Sequence, residues 1–499
     1  MARASLSSGS LSTVDFGAPA AERDIERGLD EYFVESEAYK RVKAGTKRIL
    51  IGGRGIGKSA LFQVLARRER DAGSYVIALS PEDYSYELLT QTMASEARGS
   101  WAKQGAYAAA WKYLIYVLIM KEVSTRRIQL GRAGGQIYKY IRDHHTNHQA
   151  SKLAALVSYL KRMEGFKIGK YEASVRTREL ESLYKLEEIQ YLLPALKEVA
   201  HRRRVIVLVD ELDRGWDASE DARAFVAGLF QACISVNCLH DNLRVYMSLR
   251  RELYEEIPEV YEDAQKYRDL IETIRWNSAS LLKLIGNRIR HSLPALADHD
   301  DRACWDTLFC AAPGGGSYQY MIDRTLYRPR EIIQFCTLTL ECARDSQVPV
   351  PLRHTVVREA EYSYSRERAR DIAAEYRFQY PGLLSILEAF RGKDATFSRD
   401  NTELLCLELI TRELPVHGTD GWLDTYTPES LVEILWDVGF LRAETRQDSR
   451  ARHIGAASFL GPHQASQQTV VAAQRFQVHP MFWSYLGSQA PATQRVPRA

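Results

Sequence analysis

The sequence predicts an α/β fold built on a parallel sheet, and three observations carry that prediction. A short apolar strand, KRILI at 47–51, runs into the glycine-rich loop Gly52-Gly53-Arg54-Gly55-Ile56-Gly57, and a helical pattern begins at Lys58-Ser59-Ala60. A wholly apolar run, Val205–Val209, ends in Asp210-Glu211, and continuous apolar strands belong to sheets covered on both faces. Strand patterns at Tyr75–Leu79 and Leu243–Leu249 flank a helix predicted over about 218–236, the alternation that builds parallel sheets.

In chain order, residues 1–20 are Ser/Gly/Ala-rich and read as a flexible arm. Residues 21–45 read as one helix, with Ile25, Leu29, Tyr32, Phe33 and Tyr39 near one face and Gly45 as its C-terminal stop. The core is expected over 21–84 and 200–260. Between its halves, 85–199 reads as a helical insertion that becomes basic, with 18 Lys/Arg against 9 Asp/Glu over 121–204. Residues 261–375 read as a helical lid, and the whole of 251–345 as helical apart from Pro258 and the loop at 312–319. Residues 376–499 read as a winged-helix-like domain, with strands at Val438–Ala443 and Gln474–His479 around a polar insert.

Composition bounds these readings. With 499 residues, 45% hydrophobic, 26% charged and a net charge of +3, disordered, collagen-like and disulfide-scaffold classes are excluded. The length suits two to four domains. Seven cysteines show no CxxC pair and no metal-ligand spacing, which fits reduced thiols and a cytoplasmic location. The N-terminus has no apolar segment of a secretory signal. Ala106–Met120 is the most apolar stretch, interrupted by Lys112. It falls short of the ~20 residues a membrane span needs, so a buried helix is expected and no membrane.

The chemistry lies in the glycine loop and the acidic strand end. Gly52–Ser59 fits GxxxxGK[ST], the phosphate-binding P-loop, in its required strand–loop–helix context. Glycines let the backbone wrap phosphates, so that amide N–H groups and a helix N-terminus face the anion. The expected ligand is ATP with Mg²⁺, bound by residues 52–60. Lys58 is expected to reach the β- and γ-phosphates and Ser59 to ligate Mg²⁺. Asp210 is the second metal-holding residue, and Glu211 orients and polarises the attacking water. Arg214 follows four residues after Asp210. It serves either as an arginine finger toward a neighbouring subunit or as an internal partner of Asp210 or Asp213.

The combination of GxxxxGKS (52–59) and VDELDR (209–214) resembles the KAP-type and STAND-type P-loop ATPases, relatives of the AAA+ class. The stretches FGAPAAERDIERGLDEYFVESEAYKRVKAGTKRILIGGRGIGKSA (16–60) and VIVLVDELDRGWD (205–217) resemble more closely a group of bacterial P-loop ATPases known mainly by sequence. The resemblance covers 16–80 and 200–340, is weak over 85–200 and only architectural beyond 380. It implies an AAA+/STAND-like sheet and an ATPase with sensor residues. Ser248 or Arg250 takes the sensor position on the strand after the acidic one. In YRPRE at 327–331, Arg328 or Arg330 reads the phosphates and Pro329 lines the adenine pocket. His479 lies where STAND proteins carry a histidine that touches nucleotide. Departures are an insertion without membrane helices, and no effector domain or repeat sensor flanking the core.

This resemblance leads to an oligomeric ATP-hydrolysing switch or motor that regulates a separate effector protein, such as a nuclease or deaminase, in anti-phage defence. The alternative is a DNA-handling AAA+-type ATPase of the origin-recognition or transposition-regulator kind, gripping nucleic acid with the winged helix and the basic insertion. A pseudo-ATPase scaffold is disfavoured by the intact Lys58, Ser59, Asp210 and Glu211. His144, His145 and His148 read as a solvated turn, because a zinc site needs more ligands and a supporting shell.

Overall fold

The computed structural model describes residues 11–79, 100–125, 131–144, 189–212, 219–257, 265–310, 316–419, 421–445 and 458–488. The chain divides into two compact units. One comprises Ala20–Asp30 and Glu35–Arg275; the other comprises Met1–Pro19, Glu31–Val34 and Trp276–Ala499.

The first unit is built on a five-stranded parallel sheet of β1 (Ile49–Ile51), β2 (Tyr75–Leu79), β3 (Val205–Val209), β4 (Leu243–Leu249) and β5 (Ile271–Thr273), in the order β2-β3-β4-β1-β5. Every residue of β1 and β3 is buried, as their unbroken apolar character requires. Strand β5 corrects the all-helical expectation for 251–345. It is only three residues long, and its central Glu272 is charged. That glutamate is buried because Arg41 grips both its oxygens, at 2.7 and 2.8 Å. Only a partner 231 residues away makes the charge compatible with a strand.

The single helix expected over 21–45 is also broken. Short turns at Ala21–Asp24, Ile25–Arg27 and Leu29–Tyr32 precede α1 (Glu37–Ala44). Gly28 sits at φ +98°, and Ser36 caps α1 by accepting the Tyr39 N–H at 3.2 Å. Gly45 ends α1 in the left-handed region as expected, at φ +81°.

Helix α2 (Lys58–Asp71) follows the glycine loop. Helix α3 (Ser100–Ser124) starts the segment expected as an insertion, yet it packs into the core against α6 (Glu220–Asn237). Tyr107 and Trp111 rest on Phe225, with ring centroids 5.6 and 4.8 Å apart. At Gly228 the two helices approach so closely that an added Cβ would lie 2.6 Å from the Tyr107 Cβ. Helices α4 (Gly131–His144) and α5 (Leu193–Arg202) pack together beside them. In α4 the His144 ring stacks on Tyr140. His145 and His148 lie outside the described residues. Among the described residues, no group of His, Cys, Asp or Glu could hold a metal ion and no helix is long and apolar enough to cross a membrane. All seven cysteines are unpaired. After β4 comes the short α7 (Arg251–Glu256).

The second unit contains helices α8 (Ser278–Ser292), α9 (Asp301–Leu308), α10 (Gly316–Ile322), α11 (Pro329–Asp345) and α12 (His354–Glu375). They are followed by α13 (Leu383–Glu388), β6 (Thr396–Ser398), α14 (Arg399–Ile410), α15 (Pro428–Asp437), β7 (Leu441–Thr445), β8 (Ser458–Leu460) and β9 (Arg475–Val478). The strands form an antiparallel sheet in the order β6-β9-β7-β8. The two strands expected at 438–443 and 474–479 are thus β7 and β9, paired with each other. One apolar core, including Trp305, Phe335, Tyr364, Phe390, Phe440 and Phe482, runs through helices and sheet.

The described part of the expected flexible arm is docked in this core. Leu11, Val14 and Phe16 are buried. The Arg344 guanidinium donates to the Leu11 carbonyl at 2.8 Å and the Val14 carbonyl at 2.7 Å, and Arg288 donates to the Phe16 carbonyl. Three apolar side chains plus satisfied carbonyls outweigh the low-complexity composition that suggested fraying.

Candidate functional site

Because β1, β3 and β4 run parallel, their C-terminal ends open onto one edge of the sheet. The register sets Leu50 beside Ser248, Ile51 beside Leu249 and Val209 beside Met247. The loop after β1 and the carboxylates after β3 therefore flank the end of β4.

The loop geometry depends on its glycines. Gly55 and Gly57 take φ +77° and +100°, angles at which a side chain is strained. At Gly52 a Cβ would meet Ile56 Cγ2 at 2.8 Å. Gly57 is the N-cap of α2 and supplies no side-chain cap. With no side chain at the N-cap position to cover it, the N-terminus of α2 is of the kind that receives an anion. Lys58 curls over the loop, its Nζ donating to the carbonyls of Gly52 at 2.6 Å and Gly53 at 3.1 Å. Ser59 and Ala60 are half-buried in the first turn of α2, while Arg54 is exposed on the loop.

Opposite the loop, Asp210 is fixed from two sides. Its N–H donates to the Leu79 carbonyl at 3.0 Å, and its Oδ1 accepts a hydrogen bond from the Ser248 hydroxyl. Glu211 follows at φ +58°, the left-handed region, which costs a non-glycine residue on the order of 1–3 kcal/mol. Leu212, 1% exposed, anchors the turn in the core. Asp213 and Arg214 lie outside the described residues. Arg250 follows β4 in extended conformation, as N-cap residue of α7, and its side chain makes no cap.

These groups suit a Mg²⁺–nucleoside triphosphate: backbone amides and an ammonium for phosphate, a hydroxyl and a carboxylate as hard oxygen donors for the metal. The sequence named Ser248 as a sensor candidate but contained no sign of its bond to Asp210. That contact follows from the register of β4 between β1 and β3.

The remaining candidates belong to the second unit. Arg328 is paired inside it: Nη1 donates to Glu375 at 2.8 Å and Nε lies 3.8 Å from Glu331. Burial works against its charge, but Glu375 and then Glu331 outweigh it and hold the guanidinium above its ordinary range. Glu331 in turn accepts the Leu326 N–H at 2.6 Å. The Arg328 charge is thus matched locally by two carboxylates. Pro329 is buried at the first position of α11, where a missing N–H costs nothing; Arg330 follows it, half-buried. His479 is fully buried. Its Nδ1 accepts the Met481 N–H at 3.2 Å and its Nε2 lies 3.0 Å from Arg442 Nη2. Burial first, and Arg442 next, drive its pKa well below the ordinary 6.5.

Residues 279–373 match the family described as FunZ-associated C-terminal helical domain. Over 484 residues the chain is 22% identical to a protein assigned to transposon gamma-delta, of 80.3 kDa, from Escherichia coli (strain K12). The match covers 94% of this chain, which spans 66% of that protein's length. Among solved structures, the chain is similar to the Aeropyrum pernix ORC1 protein in complex with DNA. Identity is 12% and the TM-score 0.32, covering 87% of this chain and 90% of that one. The ADP form of the Aeropyrum pernix ORC2 protein is similar at 13% identity and TM-score 0.30, covering 92% and 94%.

Proposed function

We propose that the chain is a Mg²⁺-dependent ATPase whose nucleotide state governs how it handles DNA. The observation that carries the ATPase reading is the shared sheet edge: the loop of Lys58 and Ser59 after β1, the carboxylates Asp210 and Glu211 after β3, and β4 between them. Lys58 leaves the Gly52 and Gly53 carbonyls for the phosphates. Ser59 and Asp210 hold Mg²⁺, which when bound neutralises phosphate charge. Glu211 accepts a hydrogen bond from the attacking water and orients it. Arg250, on the same edge, and Arg330, on the lid helix, are the remaining candidates for phosphate sensing. Arg214 acts in trans in a homo-oligomer, where a desolvated guanidinium contributes on the order of 10³–10⁵ in rate. Mixing Arg214→Ala subunits with Glu211→Gln subunits tests that role. Partial rescue of hydrolysis is expected; no rescue in oligomers shown to mix would place Arg214 in its own subunit's site.

The DNA role draws support from the transposon-assigned relative and from the C-terminal module. Its order of helix, strand, two helices and paired strands, with β9 between β6 and β7, supports a winged-helix reading. Titrating duplex DNA at about 50 and 200 mM salt tests it. Binding through several phosphates loses affinity by orders of magnitude across that range, and no binding at either salt would remove DNA from the function.

One observation favours the second reading, a cytoplasmic switch acting on a separate effector in anti-phage defence. Helix α15, which a winged helix presents to its target, carries Glu429, Glu433 and Asp437 and neither Lys nor Arg. Such a face repels phosphate and suits a protein partner. Cross-linking to the product of a neighbouring nuclease or deaminase gene, with DNA binding absent, would establish that reading over the first.

A further inference from the structure

We propose that Ser248 is a positioning residue for the metal-holding carboxylate. Strand β4 reports through it on Asp210, and not on the terminal phosphate. The inference rests on the reading of the loop and Asp210 as a Mg²⁺–nucleotide site, and assigns to Ser248 a role that reading does not contain.

Three observations carry it. Ser248 is 3% exposed, and a buried hydroxyl needs a partner for its single proton. That proton goes to Asp210 Oδ1. Second, Ser248 reaches Asp210 only because β4 lies between β1 and β3, pairing Leu50 with Ser248 on one side and Val209 with Met247 on the other. The serine is therefore carried by a central strand hydrogen-bonded on both sides, and its position is fixed with the core. Third, the Asp210 backbone is independently tied to β2 through the Leu79 carbonyl at 3.0 Å. With the backbone held from one neighbour and the carboxylate from the other, the broad terminal torsion of an aspartate is reduced to one orientation. The carboxylate is then preorganised, and metal binding does not bear the cost of ordering it.

A hydroxyl has one proton to donate. Donated to Asp210, it is not simultaneously available to a phosphate oxygen, so phosphate sensing at this edge falls to Arg250, just beyond β4. A serine that senses phosphate should matter whether or not metal is present. A serine that positions Asp210 should matter only when metal is present.

The test uses the full chain and a non-hydrolysable ATP analogue, titrated in excess Mg²⁺, in graded Mg²⁺ and in EDTA. It compares wild type, Ser248→Ala, Ser248→Thr and Asp210→Ala. The expected result is that Ser248→Ala binds the analogue in EDTA like wild type but needs about tenfold more Mg²⁺ for half-maximal tight binding, the loss of one hydrogen bond to a charged group. Ser248→Thr, which keeps the hydroxyl, restores the wild-type requirement, and Asp210→Ala shifts it further in the same direction. Thermal melting without ligand identifies any variant that fails to fold. Equal weakening of Ser248→Ala with and without Mg²⁺ overturns the proposal in favour of phosphate sensing. An unchanged Mg²⁺ requirement overturns it in favour of a purely structural hydroxyl. If wild type itself binds no Mg²⁺–analogue, the nucleotide reading fails, and this proposal with it.

Discussion

The strand-end groups of the sheet unit and two buried arginines of the helical unit are held in opposite ways. In the sheet unit, the groups at the strand ends rest on uncharged partners: Lys58 on loop carbonyls and Asp210 on a serine hydroxyl. In the helical unit two buried arginines are matched by carboxylates within the fold. Arg324 pairs with Glu361 at 2.6 Å and Arg328 with Glu375 at 2.8 Å, with all four side chains 15% exposed or less. An ammonium on backbone carbonyls can exchange them for phosphate at small cost. A buried guanidinium that leaves its carboxylate strands that charge, costing several kcal/mol. Arginine content alone therefore does not locate a phosphate sensor; the partners do.

That contrast predicts variants of the first unit's edge that alter chemistry at constant stability, and variants of the second unit's pairs that do the reverse. The largest effect is expected from Glu211→Gln: turnover falls by roughly 10²–10⁴ with nucleotide still bound. Trapped ATP after long incubation is the measurement, and normal turnover would mean that another group positions the water. Next, Glu375→Ala leaves Arg328 buried without its main partner and should lower unfolding free energy by about 3–5 kcal/mol. In that variant, nucleotide binding by the folded protein should be unchanged, and a loss of binding at full stability would return Arg328 to the site. Lys58→Ala should weaken nucleotide by roughly 10–100-fold, one charge-assisted contact, with an unshifted melting temperature. Wild-type affinity would remove the loop from the site.

Two smaller effects sharpen the comparison inside each unit. Gly228→Ala places a methyl group in the α3–α6 contact and should destabilise the sheet unit by about 1–3 kcal/mol, showing that its interior is as exacting as its edge is permissive. In the helical unit, His479 stays neutral when folded, whereas the unfolded chain takes up a proton near 6.5. Its contribution is full above that pH and lost as pH falls below it, by about 1.4 kcal/mol per pH unit. His479→Gln should flatten that segment of a stability–pH curve, and an unchanged slope would point to another titrating group.

What the sequence determined by itself was local and repetitive. The P-loop, the apolar β3 and the left-handed stop at Gly45 each follow from a few adjacent residues whose backbone preferences agree. So do the β7 and β9 strands, written in alternating apolar patterns. The tertiary structure decided whatever depended on a distant partner. The strand at Ile271–Thr273 exists with a charged centre because Arg41 neutralises Glu272. The described part of the low-complexity arm, from Leu11 on, is docked because Arg344 and Arg288 collect its carbonyls. Arg328 is held by Glu375, 47 residues on, and Ser248 meets Asp210 because β4 runs between β1 and β3. In each case the energy of the contact lies in a partner brought close by the fold, and no window of neighbouring residues contains it.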